Sequence, residues 1–228
     1  MLVIFDCDGV LVDSEIIAAR VDAGLLTEAG YKISPEDVGH RFAGMNWDKI
    51  VEAVEEELGH SIPEEIVERA EKELDIRLAA EVKAVEGAHA ALDRLDFARC
   101  ICSNSSAERL EMTLTKTGLY DRFRPYIFSA REVREGLGKP SPDVFLHAAE
   151  TLEFEAHRTA VVEDSIVGVQ GAVAAGMRVV GFTGASHSWP GHGEALMDAG
   201  ALTVVRRLSD LPPTLEALAE WDIGDLNF

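Results

Sequence analysis

The stretch Leu2-Val3-Ile4-Phe5-Asp6-Cys7-Asp8-Gly9 places two carboxylates, one residue apart, directly after a short apolar run. Such a run is typical of a strand that is buried on both faces of a parallel sheet. Burying Asp6 and Asp8 without a partner costs several kcal/mol or forces their protonation. Gly9 lets the backbone turn sharply after the pair. The stretch therefore predicts a positive partner, a metal ion or a basic side chain, at the carboxyl end of the first strand.

The net charge of the chain excludes two classes of partner. Of the 228 residues, 41 are acidic and 21 are Lys or Arg, which gives a formal charge of -20 at pH 7. A surface of this charge repels the phosphates of nucleic acids and anionic membranes. We therefore expect neither a nucleic-acid partner nor a membrane partner. The length suits one α/β domain with a smaller inserted one.

The cysteines indicate a reducing compartment. Cys7, Cys100 and Cys102 are odd in number and sparse, which is typical of free thiols rather than of a disulfide framework. Cys100 and Cys102 alternate in a predicted strand without a second Cys or His pair, which argues against zinc. The first apolar run is interrupted by Asp6 and Asp8 before it could form a signal peptide, so we expect a cytoplasmic protein.

Six short runs rich in β-branched residues predict strands, and helical patterns separate most of them. They cover residues 2–5, 99–102, 126–128, 159–162, 178–182 and 202–205. This alternation predicts an α/β fold with a doubly wound parallel sheet.

The interval between the first two predicted strands is different because it shows only helical periodicity. Helix starts are predicted at Ser34-Pro35, at Asn46 and at Pro63. We therefore predict an all-helical cap over residues 15–84, inserted into a core of residues 1–14 and 85–228. The final residues, 221–228, are predicted to be a loosely held end.

Three further polar clusters lie where a site of this fold would draw its ligands, beyond the carboxyl ends of strands. Ser103 and Asn104 follow the second strand and predict either an anion cradle or an ordinary helix cap. Lys139 lies in a loop that cannot be a nucleotide P-loop, since a proline follows it. Glu163 and Asp164 close the fourth strand. Together with the first pair they predict a cluster of oxygen ligands that suits Mg²⁺.

These motifs, taken in order, resemble the haloacid dehalogenase superfamily over the whole chain, and residues 6–15 and 41–44 are most similar to its sugar-phosphate phosphatase and beta-phosphoglucomutase branch. The motifs are Asp6-x-Asp8-Gly-Val-Leu-Val-Asp13-Ser, Ser103-Asn104, Gly138-Lys139-Pro140-x-Pro142 and Glu163-Asp164-Ser165-x-x-Gly168. The resemblance implies a Rossmann-like core with a strand order near 3-2-1-4-5 and the helical cap.

The resemblance also implies catalytic roles for four residues. Asp6 would attack phosphorus to form an aspartyl phosphate, while Asp8 would protonate the leaving alcohol and then activate the water that hydrolyses the intermediate. Ser103 and Lys139 would hold the phosphoryl oxygens. The implied function is a phosphatase for a small phosphorylated sugar or sugar acid, such as 6-phosphogluconate, acting as a monomer.

The implied cofactor is Mg²⁺. Its ligands would be the carboxylates of Asp6 and Asp164 and the backbone carbonyl of Asp8, with Glu163 binding directly or through water. The predicted substrate-binding residues are Asn104, Gly44, Trp47 and Arg41, although the cap residues among them have equally good explanations as surface or packing residues. The histidines show no ligand spacing, and His187 and His192 are expected on the surface.

Several alternatives stay open at this point. Dehalogenases of the superfamily need no metal, and the Glu163-Asp164 pair argues against that reaction. Mutases of the superfamily carry a histidine and an arginine where this chain has Ala18 and Trp47, which favours hydrolysis over phosphoryl exchange. A phosphoglycolate phosphatase, a receiver-like phosphoacceptor module and a non-catalytic relative that binds magnesium or phosphate are the others.

Overall fold

The computed structural model describes residues 1–42 and 45–220 and contains a six-stranded parallel sheet. Its strands are β1 (Leu2–Phe5), β2 (Ala98–Ser103), β3 (Ile127–Ser129), β4 (Thr159–Glu163), β5 (Arg178–Phe182) and β6 (Thr203–Val205). They lie in the order β3-β2-β1-β4-β5-β6. All six predicted strands are confirmed, and β6 extends the predicted order at one edge of the sheet.

The helices cover both faces of the sheet and one of its ends. They are α1 (Glu15–Glu28), α2 (Pro35–Arg41), α3 (Trp47–Leu58), α4 (Glu64–Glu81), α5 (Ala88–Asp93), α6 (Ala107–Lys116), α7 (Asp143–Thr151), α8 (Ile166–Ala174), α9 (His192–Asp198) and α10 (Leu211–Glu220). Helices α5, α6 and α10 pack on one face and α7, α8 and α9 on the other, which is the predicted doubly wound arrangement.

The central strand β1 contributes to both hydrophobic layers. Successive side chains of a strand point to opposite faces, so Val3 and Phe5 belong to one buried cluster while Leu2 and Ile4 belong to the other. All four side chains are buried. This two-sided burial explains why β1 is an uninterrupted apolar run rather than an alternating one.

Helices α1 to α4 form the predicted insertion between β1 and β2, and most of their buried residues form a third hydrophobic cluster. The chain leaves and re-enters the core at neighbouring points, since Asp13 N donates to Lys83 O and Val85 N donates to Leu11 O, both at 2.9 Å. The two ends of the insertion are therefore tied together beside β1. The domain boundaries at residues 14–15 and 84–85 remain predictions.

The predicted helix starts are confirmed. Ser34 Oγ accepts a hydrogen bond from Asp37 N, Asn46 Oδ1 accepts one from Lys49 N, and Pro63 immediately precedes α4. Residues 221–228, predicted to be a loose end, lie outside the described residues. No helix of the described part combines the length and the hydropathy needed to cross a bilayer.

The central position of β1 gives a stability prediction. Ile4→Ala should lower the free energy of unfolding by about 2–5 kcal/mol, because it removes methylene and methyl groups from a closed core and leaves a cavity. Ile76→Ala is the matched control, since Ile76 lies on α4 with 60% of its surface exposed, and should change stability by less than about 0.5 kcal/mol. Urea denaturation measures both. Equal losses would contradict the central role of β1.

Candidate active site

The site is built at the carboxyl ends of three neighbouring strands. Asp6 follows β1, Ser103 ends β2, and Glu163 ends β4 with Asp164 directly after it. Because β2 and β4 flank β1 in the sheet, these strand ends meet at one edge. The structure therefore brings together the polar clusters that are far apart in the sequence.

Lys139 reaches this edge from the loop before α7 and is buried there. Its Nζ donates hydrogen bonds to Asp6 Oδ1 and, at 2.6 Å, to Glu163 Oε1. Burial disfavours the charged form of the amine, but the two carboxylates outweigh that effect and raise the pKa of Lys139. The lysine is thus the basic partner that the first strand required, and it stays protonated.

One lysine does not balance the negative charge at this edge. Oxygens of Asp6, Glu163 and Asp164 lie within 4.8 Å of one another, and all three residues are buried. Burial raises the pKa of Asp6, Lys139 opposes the rise, and the neighbouring carboxylates, including Asp8, add to it. A second cation would keep Asp6 ionised.

The cluster fits a magnesium ion. Its donors are carboxylate oxygens, which Mg²⁺ prefers. The backbone also leaves room for them, since a Cβ on Gly9 would lie 1.9 Å from Asp164 Oδ2, and the φ of +77° at Gly9 favours glycine as well. The absence of a side chain at Gly9 therefore leaves room for the Asp164 carboxylate and also permits the turn after Asp8.

Glu163 is held on both of its oxygens. Oε1 accepts the hydrogen bond from Lys139, while Oε2 accepts hydrogen bonds from the backbone N–H and the hydroxyl of Ser165 at 3.0 and 2.9 Å. A Cβ on Gly168 would lie 1.9 Å from Glu163 Oε1, so α8 can approach this carboxylate only with glycine at position 168. These contacts make Glu163 a positioning residue for Lys139, in addition to its place in the acidic cluster.

Asp8 is surrounded by hydroxyl groups. Its Oδ1 accepts a hydrogen bond from Ser14 at 2.7 Å, and its Oδ2 accepts hydrogen bonds from Ser103 at 3.1 Å and Ser105 at 2.8 Å. The Ser103 hydroxyl, predicted to hold phosphoryl oxygens, is therefore bonded to Asp8 in this structure. The three hydroxyls fix the Asp8 carboxylate beside Asp6.

A cavity of about 270 Å³ lies above these residues, between the core and the helical insertion. Trp47, predicted to bind substrate, lines this cavity, and its Nε1 is buried without a hydrogen-bond partner among residues 1–42 and 45–220. Asn104 lines it too, but its Oδ1 accepts a hydrogen bond from Lys139 N at 2.8 Å. Asn104 therefore holds the lysine loop in this structure.

The structure does not bring Arg41 to the cavity. Its guanidinium donates to Tyr31 Oη and to Glu57 Oε1 on the exposed side of the insertion. The guanidinium stays there because the Glu57 carboxylate and the Tyr31 hydroxyl oxygen accept its hydrogen bonds. Gly44, the other predicted cap residue, lies outside the described residues.

Comparison with known proteins identifies the family. A family model described as haloacid dehalogenase-like hydrolase matches residues 1–176. This chain is a haloacid dehalogenase-like hydrolase. It is 31% identical over 222 residues to 6-phosphogluconate phosphatase of Escherichia coli, covering 97% of this chain and 96% of that protein. The resemblance predicted from the motifs is confirmed.

Two solved structures of this hydrolase family agree with the assignment. A conserved haloacid dehalogenase-like protein of unknown function from Agrobacterium tumefaciens is 54% identical, with a TM-score of 0.92 over 96% of this chain and 99% of that one. A family hydrolase from Deinococcus radiodurans, solved with bound phosphate and sodium, is 30% identical, with a TM-score of 0.81 over 95% of each chain.

The expectation that His187 and His192 are surface residues is wrong. The loop after β5 folds back over the end of β4, where His187 Nε2 lies 3.0 Å from Asp164 Oδ2 and His192 Nε2 lies 2.7 Å from the Asp164 carbonyl. Burial lowers the pKa of His187, but Asp164 outweighs this and raises the pKa to about 9. The ring of Trp189 stacks on the ring of His192, with 3.8 Å between the ring centroids. The sequence does contain one indication of this placement, because both histidines of this hydrolase follow the strand that neighbours β4.

Two carboxylates of α1 also line the cavity, and sequence reasoning missed both. Glu15 and Asp22 are seven residues apart, which places them on the same face of the helix. Burial raises the pKa of each to about 7, although His187 partly opposes the shift at Glu15. The heptad spacing is visible in the sequence, but the cavity that it faces is not.

Crowding around Glu163 gives a testable prediction for this hydrolase. Gly168→Ala should destabilise the fold by about 1–3 kcal/mol, because the added methyl group must displace the Glu163 carboxylate and with it Lys139. Gly24→Ala is the matched control: this glycine also lies inside a helix and has nothing within 4 Å of an added Cβ. The control should gain up to about 1 kcal/mol. Thermal denaturation compares them, and a stable Gly168→Ala protein would contradict the crowding.

The raised pKa of Asp22 predicts a pH-dependent stability. Folding disfavours its ionised form, so the wild type loses stability, relative to a variant without the group, as the pH rises from about 4 to about 7. Asp22→Asn should therefore raise the Tm more at about pH 8 than at about pH 4. Melting curves of both proteins at the two pH values measure this. An equal difference at both values would mean that burial does not raise the pKa.

Proposed function

We propose that this hydrolase is a magnesium-dependent phosphatase for small phosphorylated sugars or sugar acids, and that it acts through an aspartyl phosphate on Asp6. The observation that carries the proposal is the placement of Asp6: one carboxylate oxygen is held by Lys139, beside the acidic cluster, at the floor of the cavity. The substrate named for the Escherichia coli relative and the phosphate bound in the Deinococcus radiodurans structure support the substrate class.

In the first step Asp6 attacks phosphorus through its carboxylate. The new bond joins an Asp6 oxygen to phosphorus, and the bond from phosphorus to the leaving alcohol breaks. Lys139 fixes the other oxygen of Asp6 and neutralises charge on the phosphoryl group. The Asp8 carboxyl group donates its proton to the departing alkoxide.

In the second step water attacks the phosphorus of the aspartyl phosphate. Asp8, now a carboxylate, accepts the proton of that water, and the bond between Asp6 and phosphorus breaks to release phosphate. The hydroxyls of Ser14 and Ser105 hold Asp8 in place for both transfers. Since Ser103 also lies at the end of β2, its hydroxyl can turn to a phosphoryl oxygen when substrate binds.

Asp6, Asp164 and the carbonyl of Asp8 would hold the magnesium ion. When bound, it supplies charge neutralisation and alignment to the phosphoryl oxygens. Both oxygens of Glu163 already accept hydrogen bonds, which favours its action through a water molecule or through Lys139. Each carboxylate of the buried cluster thus has a proposed role, either as a magnesium ligand or in positioning a water molecule or Lys139.

The shape and lining of the cavity support hydrolysis of small substrates. A volume of about 270 Å³ lies below the usual range for drug-sized ligands and suits a monosaccharide-sized leaving group. Ala18 and Trp47, which stand where related mutases carry a histidine and an arginine, both line it. Neither side chain carries a positive charge that could retain a phosphorylated product for a second phosphoryl transfer.

Phosphate release from a panel of phosphorylated sugars and sugar acids, 6-phosphogluconate included, tests the proposal. Release should require magnesium and stop with a chelator, and Asp6→Asn should lower kcat by about 10³-fold or more, since it removes the nucleophile. Asp96→Asn, at an exposed site of the core, is the control and should keep full activity. Retained turnover by Asp6→Asn, or conversion of a hexose 1-phosphate to its 6-phosphate without release, would contradict the proposal.

A further inference from the structure

The face of α1 that lines the cavity has an unusual composition. Its lining residues are Glu15, Ala18, Ala19 and Asp22, a spacing that places all four on one side of the helix. Two small side chains thus separate two carboxylates that lie about 10 Å apart along the helix axis. Glu15 is at the end near the catalytic residues, where its charge interacts with Asp8 and Asp164, and Asp22 is two turns deeper in the insertion.

The basic groups of the cavity are already paired, whereas Asp22 is not. Each cation that lines the described cavity contacts a carboxylate: Arg109 contacts Asp75 at 2.6 Å, Arg131 contacts Glu71 at 3.1 Å, Lys139 contacts Asp6 and Glu163, and His187 contacts Asp164 at 3.0 Å. Within residues 1–42 and 45–220, Asp22 makes no hydrogen bond or ion pair, and burial alone shifts its pKa. The deep end of the cavity is therefore a place for a hydrogen-bond donor and not for another anion.

Trp47 lines the same cavity as Asp22 and carries a second unpartnered polar atom. Its buried Nε1–H is an unpartnered donor, and the Asp22 carboxylate is an unpartnered acceptor, while Val38, Phe42 and Ile50 supply apolar wall between the helices. An alcohol group both donates and accepts hydrogen bonds, so a polyol fits this combination. A carboxylate offers only acceptors, which Asp22 would repel.

Building on the proposed phosphatase function, we propose that Asp22 determines specificity by accepting hydrogen bonds from hydroxyl or ammonium groups of the leaving alcohol. Phosphate esters of neutral polyols, sugars or amino sugars are then preferred to phosphate esters of sugar acids. This narrows the proposed substrate class to its members without a carboxylate. It also separates the chain from the substrate named for its Escherichia coli relative.

The test compares two substrates that differ in one group. Glucitol 6-phosphate and 6-phosphogluconate share the phosphate and the carbon chain, but one ends in a hydroxymethyl group and the other in a carboxylate. At about pH 8, where Asp22 is ionised despite its raised pKa, the wild type should favour glucitol 6-phosphate in kcat/KM by about tenfold or more, because like charges placed together in a closed site repel strongly. Asp22→Asn keeps an acceptor oxygen without the charge and should reduce this preference by about tenfold.

Two controls make the result specific. Asp198→Asn changes the net charge equally at an exposed position of α9 and should leave the preference unchanged. Calorimetric titration of both compounds into Asp6→Asn and into Asp6→Asn/Asp22→Asn should show the same change in relative affinity without turnover. Equal use of the two substrates by the wild type, or a preference that Asp22→Asn does not alter, would overturn the role of Asp22.

The failure of this inference is separable from failure of the proposed function. Hydrolysis of p-nitrophenyl phosphate by the wild type, and its loss in Asp6→Asn, report on the phosphatase chemistry whatever the sugar preference. If that pattern holds while the substrate ratio stays fixed, only the role of Asp22 is overturned. If Asp6→Asn hydrolyses p-nitrophenyl phosphate, the proposed function is overturned first.

Discussion

The buried contact of Lys139 with Asp6 and Glu163 is the interaction on which the rest of the site depends. Three charged side chains are removed from water at the end of β1. Burying them destabilises the fold unless each charge has an opposite partner and each polar atom has a hydrogen bond. The surrounding chain meets that demand in detail. Ser165 holds Glu163, Asn104 holds the backbone of the lysine loop, and Gly168 leaves the space that the carboxylate needs.

The helical insertion is joined to the core by ion pairs at the edge of the cavity. Arg109 and Arg131, both of the core, contact Asp75 and Glu71, which lie one turn apart on α4. The first pair is half shielded from solvent and the second is exposed, so each is expected to be weak and sensitive to salt.

Much of the fold and the centre of the site could be predicted because local sequence encodes them. The apolar runs encode the six strands, and the polar residues at their ends mark the site, since parallel strands bring their carboxyl ends to one edge. The loop after β5 could not be predicted in this way. His187 and His192 have no periodicity or ligand spacing, and only the return of the loop over β4 buries them against Asp164.

Residues of the insertion were harder to assign for a related reason. A charged residue on a helix has a partner in solvent, in a neighbour or in a ligand, and sequence spacing does not say which. Arg41 finds Tyr31 and Glu57 on the surface, whereas Asp22 faces the cavity without a partner among the described residues. The packing of four helices decides between these outcomes, and no single motif records it.

Calorimetric titration of MgCl₂ into the protein, compared with Asp164→Asn, tests most directly whether the acidic cluster binds a metal ion in addition to its contacts with Lys139 and His187. One ion should bind to each wild-type chain, and the variant should bind it at least about tenfold more weakly, because it loses a charged oxygen ligand. Absence of magnesium binding by the wild type, or equal affinity of the two proteins, would contradict that function of the cluster.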